Sequence, residues 1–123
     1  MPNEFQRSTR VAEQIQRELA GMMSRVIEDK RAGMVTVTSV QVSKDLSHAK
    51  VFVSSLGGSL PHAELVSQLQ HASGFMRHEL GHAMKLRIQP ELRFVYDETE
   101  ERAARLEALI AKANAPDGGK QEP

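Results

Sequence analysis

The chain has 123 residues, 16 Lys+Arg against 16 Asp+Glu, and no cysteine. That length suits one domain around one core, and the lack of cysteine excludes disulfides and thiolate metal sites. The zero net charge hides an asymmetry: 12 bases and 8 acids from Phe5 to Arg93, then 7 acids and 4 bases from Asp97 onward. A basic body suits an anionic partner.

The opening MPNEFQRSTR has no apolar stretch behind its charges, so it does not read as a secretory signal. No apolar run reaches membrane-spanning length, and a soluble, cytoplasmic protein with no membrane role is expected. The first helix is expected from Ser8 to Asp29, because Val11, Ile15, Leu19, Met22 and Val26 recur at spacings of three and four. Lys30 and Arg31 suit the negative end of its dipole, and Gly33 its stop. Arg7, Arg10, Gln14 and Arg17 form a basic stripe on another side of this helix, with Glu13–Arg17 as an i,i+4 pair.

MVTVTSVQVS then alternates as a strand. Its phase slips between Val35/Val37 and Val40/Val42, which predicts a bulge near Ser39. SKDLS is a turn, and HAKVFVSSL, with Ala49, Val51 and Val53 on one side, is the antiparallel partner. Gly57–Ser59 break the pattern, and Pro61 sits near the first turn of a second helix. Leu65, Leu69, Ala72, Met76, Leu80 and Met84 carry helical spacing to about residue 84, with a kink expected at Ala72, Ser73 and Gly74, since glycine disfavours a helix interior. LRIQPELRFVY is a third strand with Leu86, Ile88, Leu92, Phe94 and Tyr96 on its buried side and an edge or bulge near Pro90. Asp97 and Glu100 fit a capping box for a last helix with Ala103, Leu106, Ile110 and Ala113 as its apolar stripe. The domain is expected to span 5–113, and the Gly/Pro-rich end, 114–123, to be disordered. Helices on one face of a small, mostly antiparallel three-stranded sheet make an α+β domain.

Within the second helical stretch, RHELGHAM contains His78, Glu79 and His82 in the H-E-x-x-H order of zinc metallopeptidases. At about 100° per residue both histidines project away from the apolar sector. No histidine follows His82, so a third ligand is hard to supply, and His71, His78 and His82 read as a solvated polar stripe. The small zinc peptidase is the less favoured alternative. There is no phosphate-binding G-x-x-x-x-G-K-[ST] loop, no nucleophile elbow and no requirement for a metal or cofactor, and no enzyme is expected.

The basic residues point instead to nucleic acid. Arg7, Arg10 and Arg17 can follow phosphates, the glycine of the kink admits a phosphate near free backbone N–H groups, and Arg77 and Lys85 follow on the next helix. Lys44 and Lys50 are secondary candidates, and Arg87 and Arg93 add charge. Aromatic residues are few, so shape and backbone recognition is expected over base stacking.

The stretches RVAEQIQRELA, VTSVQVSKDLSHAKVFVSSLG and LRIQPELRFVYDETEE together resemble the ribosome-binding factor A family, over about Arg7 to Ile110. Thr99 stands where that pattern leads one to expect serine, and the end after Ala113 matches nothing in it. The resemblance implies a single type II KH-like domain, α-β-β-α-kink-α-β with a C-terminal helix, in which a helix kink at Ala72, Ser73 and Gly74 replaces the usual KH glycine loop. It implies a non-catalytic factor that binds the free small (30S) ribosomal subunit and 16S rRNA or its precursor. Late maturation, 16S rRNA 5′-end processing, growth in the cold and a functional link to assembly GTPases belong to the same expectation, and a monomer is expected. A generic KH-like RNA-binding module is the alternative. The expected RNA-binding set is Arg7, Arg10, Arg17, Lys44, Lys50, Ser73, Gly74, Arg77 and Lys85.

Overall fold

A computed structural model describes residues 2–114, with side chains from residue 6 onward. Of the predicted tail, 114–123, Asn114 ends the last helix and residues 115–123 lie outside the described residues, as does the side chain at the domain's predicted start, Phe5. The first helix, α1 (Pro2–Val26), buries Ala12, Ile15, Leu19, Met22 and Met23, with Val11 and Val26 flanking. It ends at Val26, short of the expected Asp29. Asp29 has extended backbone and its carboxylate accepts the Arg31 N–H, which starts a separate 3-10 turn over Lys30–Ala32. Lys30 and Arg31 therefore belong to that turn and not to the end of α1. Gly33 closes the turn at φ 68°, ψ −151°, a conformation open to glycine alone.

Two antiparallel strands follow, β1 (Met34–Val42) and β2 (His48–Leu56). The predicted bulge is present: the register steps from Val37↔Val53 to Ser39↔Phe52 and leaves Thr38 over. That extra residue turns Val40 and Val42 to the same side as Val35 and Val37, against the core. The Gln16 carboxamide of α1 donates to the carbonyls of both Val37 and Thr38, at 3.1 and 3.2 Å, and so satisfies the backbone at the bulge.

Helices α2 (His62–His71) and α3 (Ser73–Met84) are separated at Ala72 (φ −88°, ψ 3°), the expected kink. Leu65, Leu69, Met76 and Leu80 are fully buried. Strand β3 (Glu91–Tyr96) is shorter than expected, and Leu86 and Ile88 are not part of it. Pro90 has no N–H for a ladder, and pairing begins where the Glu91 N–H reaches the Ser47 carbonyl at 2.8 Å. Ile88 is consequently 57% exposed and not on the buried face. β3 runs parallel to β2 and forms the second edge, so the sheet, ordered β1-β2-β3, is mixed and not mostly antiparallel. The outer edge of β3 is covered in an economical way. The single side chain of Gln70 donates to the Leu92 carbonyl (2.8 Å) and accepts from the Phe94 N–H (3.1 Å), the two bonds a fourth strand would make.

Ala49, Val51, Val53, Leu92 and Phe94 face the helices and join the α1, α2 and α3 apolar faces in one core. The last helix, α4 (Thr99–Asn114), departs from expectation: it buries none of its residues, and Leu106, Leu109 and Ile110 are 57, 64 and 50% exposed. It is held at its start by polar contacts. The Asp97 carboxylate accepts the Thr99 N–H and the Thr38 hydroxyl. The Tyr96 hydroxyl donates to Glu101, and His62, stacked on the Tyr96 ring at 3.5 Å, lies 3.4 Å from the same carboxylate.

Three aspartates tie loops to this frame, and all titrate below the ordinary carboxylate range. Asp29 is held lowest, chiefly by the Arg31 side chain and then by Gln68. Asp45 is pulled down to about 2 by the Ser47 and Ser43 hydroxyls. Asp97 is lowered by Thr99 and Thr38. A depressed folded-state value stabilises fully above the unfolded value and is lost as pH falls through the folded one. Urea midpoints should accordingly hold steady above about pH 5 and fall between about pH 4 and 2. Asp45→Asn should flatten part of that slope, and a midpoint unchanged down to about pH 2.5 would remove these carboxylates from the account.

Candidate nucleic-acid interface

The outer side of α1 is built by spacing. With Ile15, Leu19 and Met22 directed to the core, Arg7, Arg10, Gln14 and Arg17 form a separate row centred roughly 130° around the helix, and all four are exposed. Gly21 and Arg25 extend the same row by the same three- and four-residue steps, which sequence reasoning missed although the spacing was there to read. From Arg7 to Arg25 the ridge runs roughly 27 Å at 1.5 Å per residue. Among the described residues no carboxylate lies within ion-pair distance of its four arginines. The expected Glu13–Arg17 pair is thus not formed, and the guanidinium groups are left to solvent or to a partner.

The kink presents a second feature. Helix α3 starts at Ser73 without a side-chain cap, so its first N–H groups retain the partial positive charge of a helix start. Gly74 is exposed, its backbone is ordinary helix, and a Cβ added there meets nothing within 4 Å. Neither φ nor internal packing requires glycine at this point. Gly74→Ala should therefore leave the fold intact and stabilise it by up to about 1 kcal/mol. A melting temperature that drops would show an internal role for the glycine.

The remaining predicted residues are dispersed. Lys44 lines a shallow groove of about 330 Å³ between α1 and β1, beside Thr9, Glu13 and Gln16. Lys85 ends α3 in left-handed conformation (φ 53°), at the far end of that helix from Ser73 and Gly74. Arg77 is already engaged: its Nε donates to the Pro90 carbonyl and an Nη to that of Gln89, both at 3.0 Å. It braces the irregular entry to β3. Lys50 points from β2 to the sheet face that carries no helix, away from the α1 ridge.

His78 and His82 share a face of α3, their rings 4.6 Å apart and edge to face. No group of three His, Cys, Asp or Glu that could hold a metal occurs among the described residues. None of the described helices is long and apolar enough to cross a membrane.

The order α-β-β-α-α-β, helices layered on one side of the sheet and a kink where a glycine loop could stand, define a KH-like α+β domain. The model of the family described as ribosome-binding factor A matches residues 7–110. Ribosome-binding factor A of Thioalkalivibrio sulfidiphilus is 51% identical over 95% of this chain and 91% of its own length. That of Hahella chejuensis is 52% identical over 95% and 91%. The crystal structure of ribosome-binding factor A from Thermus thermophilus superposes with a TM-score of 0.64 at 26% identity, over 72% of this chain and 94% of the other. A homology model of the Thermus thermophilus factor, fitted into a cryo-EM map of its complex with the 30S subunit, gives 0.62 at 28% identity, over 71% and 91%. The chain belongs to the ribosome-binding factor A family.

Proposed function

We propose that this chain is a non-catalytic assembly factor that binds the free small ribosomal subunit through 16S rRNA or its precursor. It acts by occupying one rRNA conformation during late maturation, including processing of the 16S 5′ end, in the cytoplasm, and its release is linked to assembly GTPases. Family membership supports the partner, because the Thermus thermophilus relative has been fitted into a 30S complex. The observation in this chain that carries the reading is the arginine ridge of α1, Arg7 to Arg25, which among the described residues pairs with no carboxylate.

In this reading Arg7, Arg10 and Arg17 contact phosphates, Ser73 and Gly74 let the rRNA backbone approach the start of α3, and Lys44 and Lys85 add charge at the margins. Arg77 supports the site from within. Gradient sedimentation of the protein with purified small and large subunits tests this. Co-migration with the free small subunit alone is expected, weakening steeply as salt rises. Equal binding to both subunits would indicate a general RNA-binding module instead.

A further inference from the structure

Among the described residues no helix packs on the sheet's second face, and its side chains fall into rungs set by the strand register. Gln41, Lys50 and Arg93 lie abreast, then Ser39, Phe52 and Val95, then Thr36 beside Ser54. Ala49, Val51, Val53, Leu92 and Phe94 alternate with them into the core, so these residues point outward. Lys50 and Arg93 are both exposed and are neighbours on adjoining strands. Like charges abreast repel each other. Neither has a carboxylate within ion-pair distance among the described residues, although Glu91 is close by, because Glu91 pairs with His48 at 3.2 Å. The Lys50 ammonium stands 5.4 Å from the centre of the half-buried Phe52 ring. The face's other acid, Asp97, sits at the opposite end, bonded to Thr38.

We infer that this open sheet face is a second RNA contact, holding a single-stranded segment with a base on Phe52 and Val95 and its phosphate between Lys50 and Arg93. The inference rests on the RNA-binding reading above but concerns a different surface. A lone anion would need only the cationic rung. The adjoining aromatic rung, two strand residues or roughly 6.6 Å along, gives a place for the base attached to that phosphate. Asp97 sets the polarity, since it repels phosphate from the hydroxyl end. A duplex does not fit, because its bases are turned inward and cannot reach Phe52.

The test is titration of isotope-labelled full-length protein with hexauridylate, followed by NMR, alongside subunit sedimentation. Signals of Lys50, Phe52, Arg93 and Val95 should shift. Phe52→Leu should weaken oligonucleotide binding by about fivefold or more, as loss of a stacked base does. Lys50→Gln/Arg93→Gln, on exposed side chains, should weaken it by about tenfold and reduce its salt dependence. Shifts confined to α1 and the kink, with both variants binding as the parent does, would overturn the inference while leaving the first reading intact. Loss of subunit binding in Lys50→Gln/Arg93→Gln with hexauridylate affinity unchanged would also overturn it, and assign the face to a ribosomal protein. If the parent protein binds neither subunit nor oligonucleotide, both readings fall.

Discussion

Reversing two charges on α1, as Arg10→Glu/Arg17→Glu, should lower affinity for the free small subunit by about 100-fold at moderate salt. In the proposed interface each reversal would remove one phosphate contact and add one repulsion, and no internal ion pair is broken, because neither arginine has one among the described residues. Both side chains are exposed and on the side of α1 away from the core. The melting temperature should therefore match that of the parent, which separates lost binding from lost folding. Arg77 is best left in place in this experiment. Its two bonds to the Gln89 and Pro90 carbonyls are structural, and charge reversal there would disturb the entry to β3. The comparison with the parent is made in a sedimentation assay run over a salt series. Affinity retained within about threefold would remove the α1 ridge from the interface.

The second large effect is on stability. The 3-10 turn passes so close to the β2–α2 loop that Gly58 has no room for a side chain. A Cβ there would lie 2.5 Å from the carbonyl oxygens of both Arg31 and Ala32. The same crossing is stitched by the Ser59 and Leu60 N–H groups, which both donate to the Arg31 carbonyl, at 2.7 and 2.9 Å. Backbone cannot give way as a flexible side chain would, so Gly58→Ala should cost about 3 kcal/mol or more. At the usual few degrees per kcal/mol, the melting temperature should fall by roughly 10 °C or more. A loss of only a degree or two in a calorimetric scan would show that the loop can move aside. Gly74→Ala is the natural comparison, since that position is open and in ordinary helical conformation.

The contrast between those two glycines shows how far the sequence could be read. Both interrupt a pattern, and both are visible as breaks. Only the crossing of two backbones makes Gly58 indispensable to the fold, and only the empty space around Gly74 frees it from any internal role. The arginine ridge was legible because helical spacing alone places Arg7, Arg10 and Arg17 in one row away from the face of Ile15 and Leu19, and the same rule extends it to Arg25. Arg77 looked equivalent to them by charge. Its engagement depends on the carbonyls of Gln89 and Pro90, which pattern reading placed inside a third strand with an edge or bulge near Pro90.

Periodicity also carried the core, the bulge and the kink, since each is a local consequence of how side chains alternate or rotate along one element. The Val35/Val37 to Val40/Val42 slip needed an extra residue, and Thr38 is that residue. What lies between elements was decided by tertiary contact. The parallel pairing of β3 with β2 follows from the α2–α3 crossover that returns the chain along the sheet before β3 begins, and the turn at Asp29 from its capture of Arg31 and Gln68. The apolar stripe of α4 predicted packing that does not occur, because amphipathic spacing states that a helix could bury a face, not that the domain has a surface to receive it. In the same way Lys50 carries its charge in the sequence, but its place on the helix-free side of the sheet, abreast of Arg93, exists only once the strands are paired.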